Sequence, residues 1–477
     1  MKKLLFYSFI TFILLFFTFA NVNDGPGIWT VSLSNAGQIW GLAISPSNQN
    51  IIYAASNSTG VWKSTNAGLN WTQANTGLSN LVLQCIAVSR INANIVMCGT
   101  TNGGTNPGVY RSTDGGANWS RVVNGIVETN INIQSIAIDP QNPNTAYITV
   151  FDGTTNSTNG IYKTTDGGAL WVPITNGIGA IKNFLCVTIN PLNPNVLYAG
   201  TSFDPITSSG PAKVYKSVNA GALWQDISNG LPSQTTDLKP IRQISISPTD
   251  TSTLLLAQFI NTDTLSGGMY VSTNGGGLWQ RRNSGLPVAV GLLPRACLIS
   301  PWGSSEMYVG LGNATNSNIG VYRSVNSGLT WLPFNNGVML NTYTVRAFES
   351  RPSNLTLFAG VAHPTLTSGQ GVFEYTFYIN PINEPSTSLP DMFSLFQNYP
   401  NPFNPVTKIK FALPENAFAR LIIYDVLGRE VETLVNEQLA HGIYEVNWDA
   451  TNYPSGLYYY KLITDEYVET KKMMLIK

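Results

Sequence analysis

Ser112-Thr113-Asp114-Gly115-Gly116-Ala117-Asn118-Trp119 is one of six copies of a single phrase: Ser or Thr, any residue, Asp or Asn, any residue, Gly, two residues, Trp. The others are Ser64 to Trp71, Thr164 to Trp171, Ser217 to Trp224, Ser272 to Trp279 and Ser324 to Trp331. Successive tryptophans (71→119→171→224→279→331) lie 48, 52, 53, 55 and 52 residues apart. A fixed period of this size means stacked or radially arrayed units, each unable to bury its apolar surface alone.

Apolar, β-branched runs flank the phrase, as in Gly108-Val109-Tyr110-Arg111 before it and Trp119-Ser120-Arg121-Val122 after it, which predicts a hairpin. The Asx side chain is expected to accept backbone N–H groups one or two residues ahead, with the Ser or Thr hydroxyl assisting. The glycine supplies a positive φ, and Trp71, Trp119, Trp171, Trp224, Trp279 and Trp331 fold back to bury large rings. Asp stands in the third position at Asp114 and Asp166, but Asn stands there at Asn66, Asn219, Asn274 and Asn326. An amide closes a turn but cannot act as a general base, so these residues read as scaffolding and no catalytic residue is assigned.

Each period reads as four strands: an apolar run ending before a proline (Ile136-Ala137-Ile138-Asp139-Pro140), a second like Leu197-Tyr198-Ala199-Gly200, a third like Gly320-Val321-Tyr322-Arg323, and a fourth from the Trp. Four strands per unit is the blade of a β-propeller. A seventh unit lacks the phrase but keeps three strands, Thr344 to Phe348, Leu355 to Val361 and Gly371 to Phe377. Ile28-Trp29-Thr30-Val31 matches a fourth strand without a blade of its own, and is expected to complete blade seven and leave no open edge. Before the strand-ending proline, large residues (Leu42 and Ile44, Val187 and Ile189) alternate with small ones (Gly41 and Ala43, Cys186 and Thr188). That pattern fits a strand buried on both faces between neighbouring blades.

The phrase resembles the Asp-box, the bacterial neuraminidase repeat of sialidases, sortilin-type receptors, xyloglucan hydrolases and photosystem II stability factors. The resemblance covers about residues 28 to 377. It implies the propeller fold and leaves function open, because those relatives include enzymes, receptors and assembly factors.

Lys plus Arg and Asp plus Glu number 26 each, so no global field attracts nucleic acid. Met1-Lys2-Lys3, an apolar run and Thr18-Phe19-Ala20 read as a secretory signal over 1–20, cut after Ala20. An uncleaved anchor is the alternative; no other segment is apolar enough to cross a membrane, so the mature chain is expected to have no transmembrane segment. Cys85, Cys98, Cys186 and Cys297 fit no zinc motif and read as small buried filler. A Cys85–Cys98 disulfide stays open, and neither cofactor nor metal is expected.

The propeller is assigned to 21–378 and a Pro-rich linker to 379–392. Residues 393–477 read as a small β-sandwich of about seven short strands, making the whole chain all-β. Gln397 to Pro405, Ile423-Tyr424-Asp425 with Gly428-Arg429, Gly442-Ile443-Tyr444, Gly456-Leu457-Tyr458 and Lys471 to Lys477 resemble the type A C-terminal sorting domain of type IX secretion cargo. That resemblance implies the secretion machinery as partner, passage through the periplasm, and a secreted or cell-surface location. A plain accessory or carbohydrate-binding sandwich is the alternative.

Binding is expected on the face opposite the Trp turns, where second-to-third loops are long: Thr100 to Pro107, Asp152 to Asn159, Ser202 to Lys213, Asn261 to Ser266, Asn313 to Asn318 and His363 to Gln370. Six positions before each strand-ending proline stand Trp40, Gln134, Leu185, Arg242, Arg295 and Arg346, with Gln84 as the blade-two equivalent. Arg242, Arg295 and Arg346 on consecutive blades are candidates for an oxyanion site; the alternative is that they cap loop carbonyls. The sialidase resemblance implies an Arg-Ile-Pro segment, absent before the first phrase. Glu128, Glu306, Glu349 and Glu374 are the only propeller glutamates, and Asp152, Asp204 and Asp263 stand in the long loops. His363 and His441, one per domain, make no triad. Two functions follow: a secreted or surface-displayed binding propeller for a glycan or protein ligand, or a glycoside hydrolase acting on extracellular polysaccharide.

Overall fold

The structure is a computed structural model. It describes residues 28–477 except 127–130, 152–158, 180–182, 203–210, 233–239, 260–266, 288–292, 313–318, 337–342, 363–370, 378–382, 387–389, 391 and 440. The leader assigned to 1–20 therefore lies outside the described residues, as do five of the six long loops for most of their length. The chain divides into two compact units, Pro26–Phe377 and Tyr378–Lys477.

Seven four-stranded antiparallel sheets make the first unit. Their innermost strands are Ile39–Ser45, Leu83–Val88, Asn132–Ile138, Phe184–Ile189, Ile241–Ile246, Leu293–Ile299 and Thr344–Arg351. In blades one to six all four strands follow in chain order. In blade seven the outermost place is taken by Thr30–Leu33, antiparallel to Val372–Thr376. The unit is a seven-bladed β-propeller closed by its own N-terminal strand. Large inner-strand residues pack on the preceding blade, as Ile44 does with Ala347 and Phe358, and small ones face the following blade, as Ala43 does with Ile86.

The repeated phrase makes a tight corner. Ser112 Oγ donates to Asp114 Oδ1 (2.8 Å) and accepts the Gly116 N–H (2.8 Å), while Asp114 Oδ1 accepts the Asn118 N–H (2.9 Å). The Asx acceptor bond recurs from Asn66, Asp166, Asn219, Asn274 and Asn326 to the N–H four residues ahead. It thus spans four residues, not the expected one or two, because the preceding residue and the glycine both turn left-handed. Gly68, Gly116, Gly168, Gly221, Gly276 and Gly328 all have φ between 78 and 93°. Asp114 and Asp166 are held below the ordinary carboxylate range by these side-chain and backbone hydrogen bonds.

Each tryptophan then clasps the blade before it. Trp119 donates its backbone N–H to the Thr76 carbonyl and its indole N–H to the Ala74 carbonyl (2.9 and 2.8 Å). Trp171, Trp224, Trp279 and Trp331 repeat both bonds one blade further on. The approach is so close that a Cβ on Gly77, Gly125, Gly177, Gly230 or Gly285 would sit 2.1–2.2 Å from the clasping tryptophan's carbonyl oxygen. Trp29, outside any copy of the phrase, makes the same pair of bonds to Asn336 and Phe334 (both 2.8 Å). It locks blade seven to blade six. Trp71, at the seam between blades seven and one, bonds only through its indole N–H, to Gly68 O and Ser32 Oγ (3.0 and 3.2 Å). A register shift between Val31 and Leu33 accompanies that different seam.

Blade seven has no corner, and blade six compensates. In blades one, three and four a tyrosine hydroxyl and a lysine ammonium donate to the next corner's carbonyl, as Tyr53 and Lys63 do to Gly115. In blade six Tyr308 donates instead to Glu306 (2.6 Å), which also takes Arg323 in a buried ion pair (2.6 Å). All four thiols are free. Cys85 pairs in register with Gly99, while Cys98 pairs with Ile86. Neighbouring residues of a strand face opposite sides of the sheet, so the open Cys85–Cys98 disulfide does not form.

The second unit contains two four-stranded sheets. One runs Asn383–Ser386, Gly442–Asp449, Val406–Leu413, Ser394–Leu395; the other runs Glu430–Leu439, Ala417–Tyr424, Gly456–Ile463, Val468–Leu475. Trp448, Tyr460, Phe411, Leu421 and Phe403 fill the core between them. The first of these strands falls inside the stretch expected as linker. No helix among the described residues is long and apolar enough to cross a membrane.

Replacing Trp29 tests the closure. Trp29→Ala is expected to cost the propeller about 3–5 kcal/mol, and Trp29→Phe about 1–3 kcal/mol through the orphaned Phe334 carbonyl. Trp71→Ala, at a half-buried ring with weaker bonds, should cost less. Calorimetric unfolding of the full chain measures all three, and equal losses at Trp29 and Trp71 would show that the clasp does not decide closure.

Candidate functional site

Antiparallel order puts the corners at one end of the blades and the starts of the inner strands at the other. At that second end every inner strand carries a bulge. Ile39 pairs with Ser56 and Gly41 with Ala55, so Trp40 is skipped. The same register shift skips Gln84, Gln134, Leu185, Arg242, Arg295 and Arg346. A bulged residue loses its ladder partner and is re-aimed. Here all seven line one cavity of about 590 Å³ on the propeller axis, together with the aromatic rings of Phe151 and Phe259. A narrower cavity of about 220 Å³ continues from the same seven residues down to Glu349.

Four of the bulges lie beside a tight contact between blades. Gly99, Gly200, Gly310 and Gly360 sit on second strands, where a Cβ would come within 2.4–2.7 Å of Ile133, Ile241, Val345 or Ile39 of the next blade. Each of those β-branched residues immediately precedes a bulged one. In these four blades the glycine admits the β-branched residue beside the bulge, whereas blades two, four and six carry the same bulge after Leu83, Phe184 and Pro294.

The three arginines share one side of the mouth. Arg242 and Arg295 both lie over the Phe259 ring (4.5 and 4.6 Å to its centroid), and Arg346 lies over Trp40 (4.4 Å). The Nε of each is buried with no hydrogen-bond acceptor. Arg111 and Arg282 also have an unbonded Nε, but each places another nitrogen on a side-chain oxygen. Burial lowers the pKa of Arg242 to about 10 and of Arg346 to about 9, and neighbouring arginine charges add to both shifts. Burial also lowers that of Arg295. Across the mouth, Gln84 donates to Gln134 (3.2 Å) beside the apolar Leu185.

Among the described lining residues Glu349 is the only carboxylate. It stands where the other inner strands carry Ala43, Ala87, Ala137, Thr188, Ser245 and Leu298. Burial raises its pKa to about 8, against smaller opposing effects of the Ser350 N–H and the Arg90 charge. Asp152, Asp204, Asp263, Glu128 and His363 lie outside the described residues. Glu306 is committed to Arg323, Glu374 pairs within the sheet of blade seven, and His441 belongs to the second unit. No group of metal-ligating side chains occurs among the described residues.

In the second unit, residues 397–405 pack onto the last strand. The Phe403 N–H donates to the Met474 carbonyl, the Ile476 N–H donates to the Phe403 carbonyl, and Phe403 packs on Trp448 with ring centroids 5.3 Å apart. Asn398 donates to Thr407 and to the Pro400 carbonyl. Residues 397–477 match the family model described as "Secretion system C-terminal sorting domain". The tail belongs to the type IX sorting-domain family. A sorting domain of this kind directs the propeller to the cell surface or the extracellular space.

Solved structures superpose on about three quarters of the chain or more. A GH74 xyloglucanase from Xanthomonas campestris superposes with a TM-score of 0.55 at 17% identity, over 73% of this chain and 53% of that one. YCF48 bound to D1 peptide gives 0.50 at 15%, over 76% and 100%. PorZ of Porphyromonas gingivalis, a surface component of the type-IX secretion system, gives 0.52 at 16%, over 92% and 60%. The chain thus spans about half the length of the xyloglucanase, and at these identities the likeness shows the fold alone. No curated protein matches the chain in sequence.

Glu349 gives the channel a pH signature. Its carboxyl titrates near 8 in the folded chain and near 4.5 when unfolded, so the folded state holds the extra proton between those values. Stability contributed by the protonated form is present below 4.5 and is lost as pH rises to 8. Glu349→Gln should therefore match the parent near the lower value and exceed it by a few kcal/mol, on the order of 1.4 per pKa unit, above the upper one. Melting temperature against pH checks this; parallel curves would show that the carboxyl is solvated.

Proposed function

We propose that this chain is an exported β-propeller binding protein that captures an anion-bearing extracellular ligand, glycan or protein, at the mouth of its axial channel. The observation that carries the reading is the convergence of Arg242, Arg295 and Arg346, three half-buried cations on adjacent bulges, with no hydrogen-bond acceptor at any Nε. Desolvated guanidinium groups stacked on aromatic rings are costly in the empty protein and are pre-aimed for an oxyanion. A cavity of about 590 Å³ is of ligand size. Trp40, Gln84 and Gln134 complete the rim as stacking and amide contacts.

Export follows the two ends of the chain. Residues 1–20 serve as a leader removed after Ala20, residues 21–378 are the working propeller, and residues 393–477 engage the type IX machinery. The corners are Asp-box repeats acting as scaffold.

The test is the triple variant R242A/R295A/R346A in the full chain, probed on an array of neutral and acidic glycans and acidic peptides. The parent should retain acidic members, and the variant should bind them at least about tenfold more weakly, since each charged hydrogen bond is worth about 1.5–3 kcal/mol. The unliganded variant should melt no lower than the parent, because repulsion has been removed. Unchanged binding would reject the site, and release of reducing sugar from a polysaccharide by the parent would replace binding with hydrolysis.

A further inference from the structure

Given that the channel mouth binds anions, we propose that its ligand group is a terminal tetrahedral oxyanion, a sulfate or phosphate monoester, rather than a carboxylate. Three features of the cavity point to it. The first is charge. The described lining residues carry three cations, and the one carboxyl among them, Glu349, lies in the narrower part and is protonated at neutral pH. A phosphate monoester, a dianion above about pH 6, compensates most of the set; a sulfate monoester carries one charge, as a carboxylate does, but spreads it over three terminal oxygens.

The second is donor count. Each guanidinium is a planar fork of five N–H donors. A carboxylate offers two oxygens in one plane and is filled by two forks. An ester sulfate or phosphate offers three terminal oxygens, one for each of three forks. The forks arrive from three consecutive inner strands, so they approach on different lines.

The third is fixed orientation. Phe259 holds Arg242 and Arg295 at 4.5 and 4.6 Å, and Trp40 holds Arg346 at 4.4 Å. Contact with a ring covers one side of each guanidinium group and leaves donors on its other side to face a ligand. The lining of Leu185, Phe151 and the Gln84–Gln134 pair on the other side supplies neutral contacts for the group that bears the ester.

The experiment is isothermal titration of the full chain with methyl sulfate, methyl phosphate and acetate at constant ionic strength, the first and last being monoanions that differ only in the geometry of the charged group. Methyl sulfate should bind at least about tenfold tighter than acetate, the equivalent of one further charged hydrogen bond. Methyl phosphate should tighten from about pH 6 to about pH 8 as it becomes a dianion while methyl sulfate stays level. A preference for methyl sulfate at about pH 8 would assign the source as a sulfate ester, and a preference for methyl phosphate as a phosphate ester. R346A alone should reduce the ratio of methyl sulfate to acetate affinity toward one, because two forks suffice for a carboxylate. Acetate binding as tightly as methyl sulfate overturns the tetrahedral assignment and leaves the anion site standing. Binding of none of the three anions to the parent overturns the anion-site reading itself.

Discussion

Everything in the propeller depends on one contact: a tryptophan giving two N–H groups to carbonyls of the blade before it. Neither donor nor acceptor is exotic, and a single net hydrogen bond contributes only about 1 kcal/mol. Its force lies in geometry. The backbone bond fixes where the outer strand starts, the indole bond fixes the ring, and the glycine beneath admits no side chain. Repeated from Trp119 through Trp331 and at Trp29, the contact joins the seven sheets at six interfaces, and the seventh, between blades seven and one, is bridged by the Trp71 indole N–H to Ser32 Oγ. A four-stranded sheet by itself would expose both faces; only the neighbour on each side covers them.

How much of this could be read beforehand depends on whether a feature repeats. The six corners, the seven blades and the closing strand were legible because the same residues recur at one period. The resemblance of the tail was legible because residues 397–405 and the closing segment carry specific identities. The role of Trp29 was half legible: its strand was placed, but its clasp was hidden because it belongs to no copy of the phrase. The inner-strand bulges were not legible, since a bulge is a matter of pairing and no residue type marks it. Glycines such as Gly200, beside four of the bulges, stood in the sequence, but only the fold shows Ile241 pressing into the space. The disulfide left open between Cys85 and Cys98 fails for the same reason, a register offset of one residue.

The site column itself sits between these cases. Trp40, Gln84, Gln134, Leu185, Arg242, Arg295 and Arg346 could be aligned by counting back from a proline. Counting could not say where their side chains go. In a regular strand, position parity would decide, and large and small residues would alternate toward the two neighbouring blades. The bulge breaks parity once per blade, always at the same place, and so frees one residue per blade from inter-blade packing. Scaffold and site are thereby separated: the corners hold the ring from one end while the bulged residues vary at the other without touching the clasps.

That separation explains why three arginines can be tolerated together. Stability here is supplied by the blade interfaces and the clasps, which are remote from the channel mouth. A repulsive cluster of Arg242, Arg295 and Arg346 costs energy locally but breaks no interface, and the aromatic rings of Phe259 and Trp40 take part of the load. Blade six shows the contrasting solution. Where Arg323 is buried inside the ring rather than at its mouth, Glu306 meets it at 2.6 Å and the charge is closed. The same chain therefore pairs a buried arginine where the position is structural and leaves arginines without carboxylate partners, among the described residues, where the position faces a cavity. Charge left open beside a space large enough for a ligand is what distinguishes the mouth of this channel from the rest of the fold.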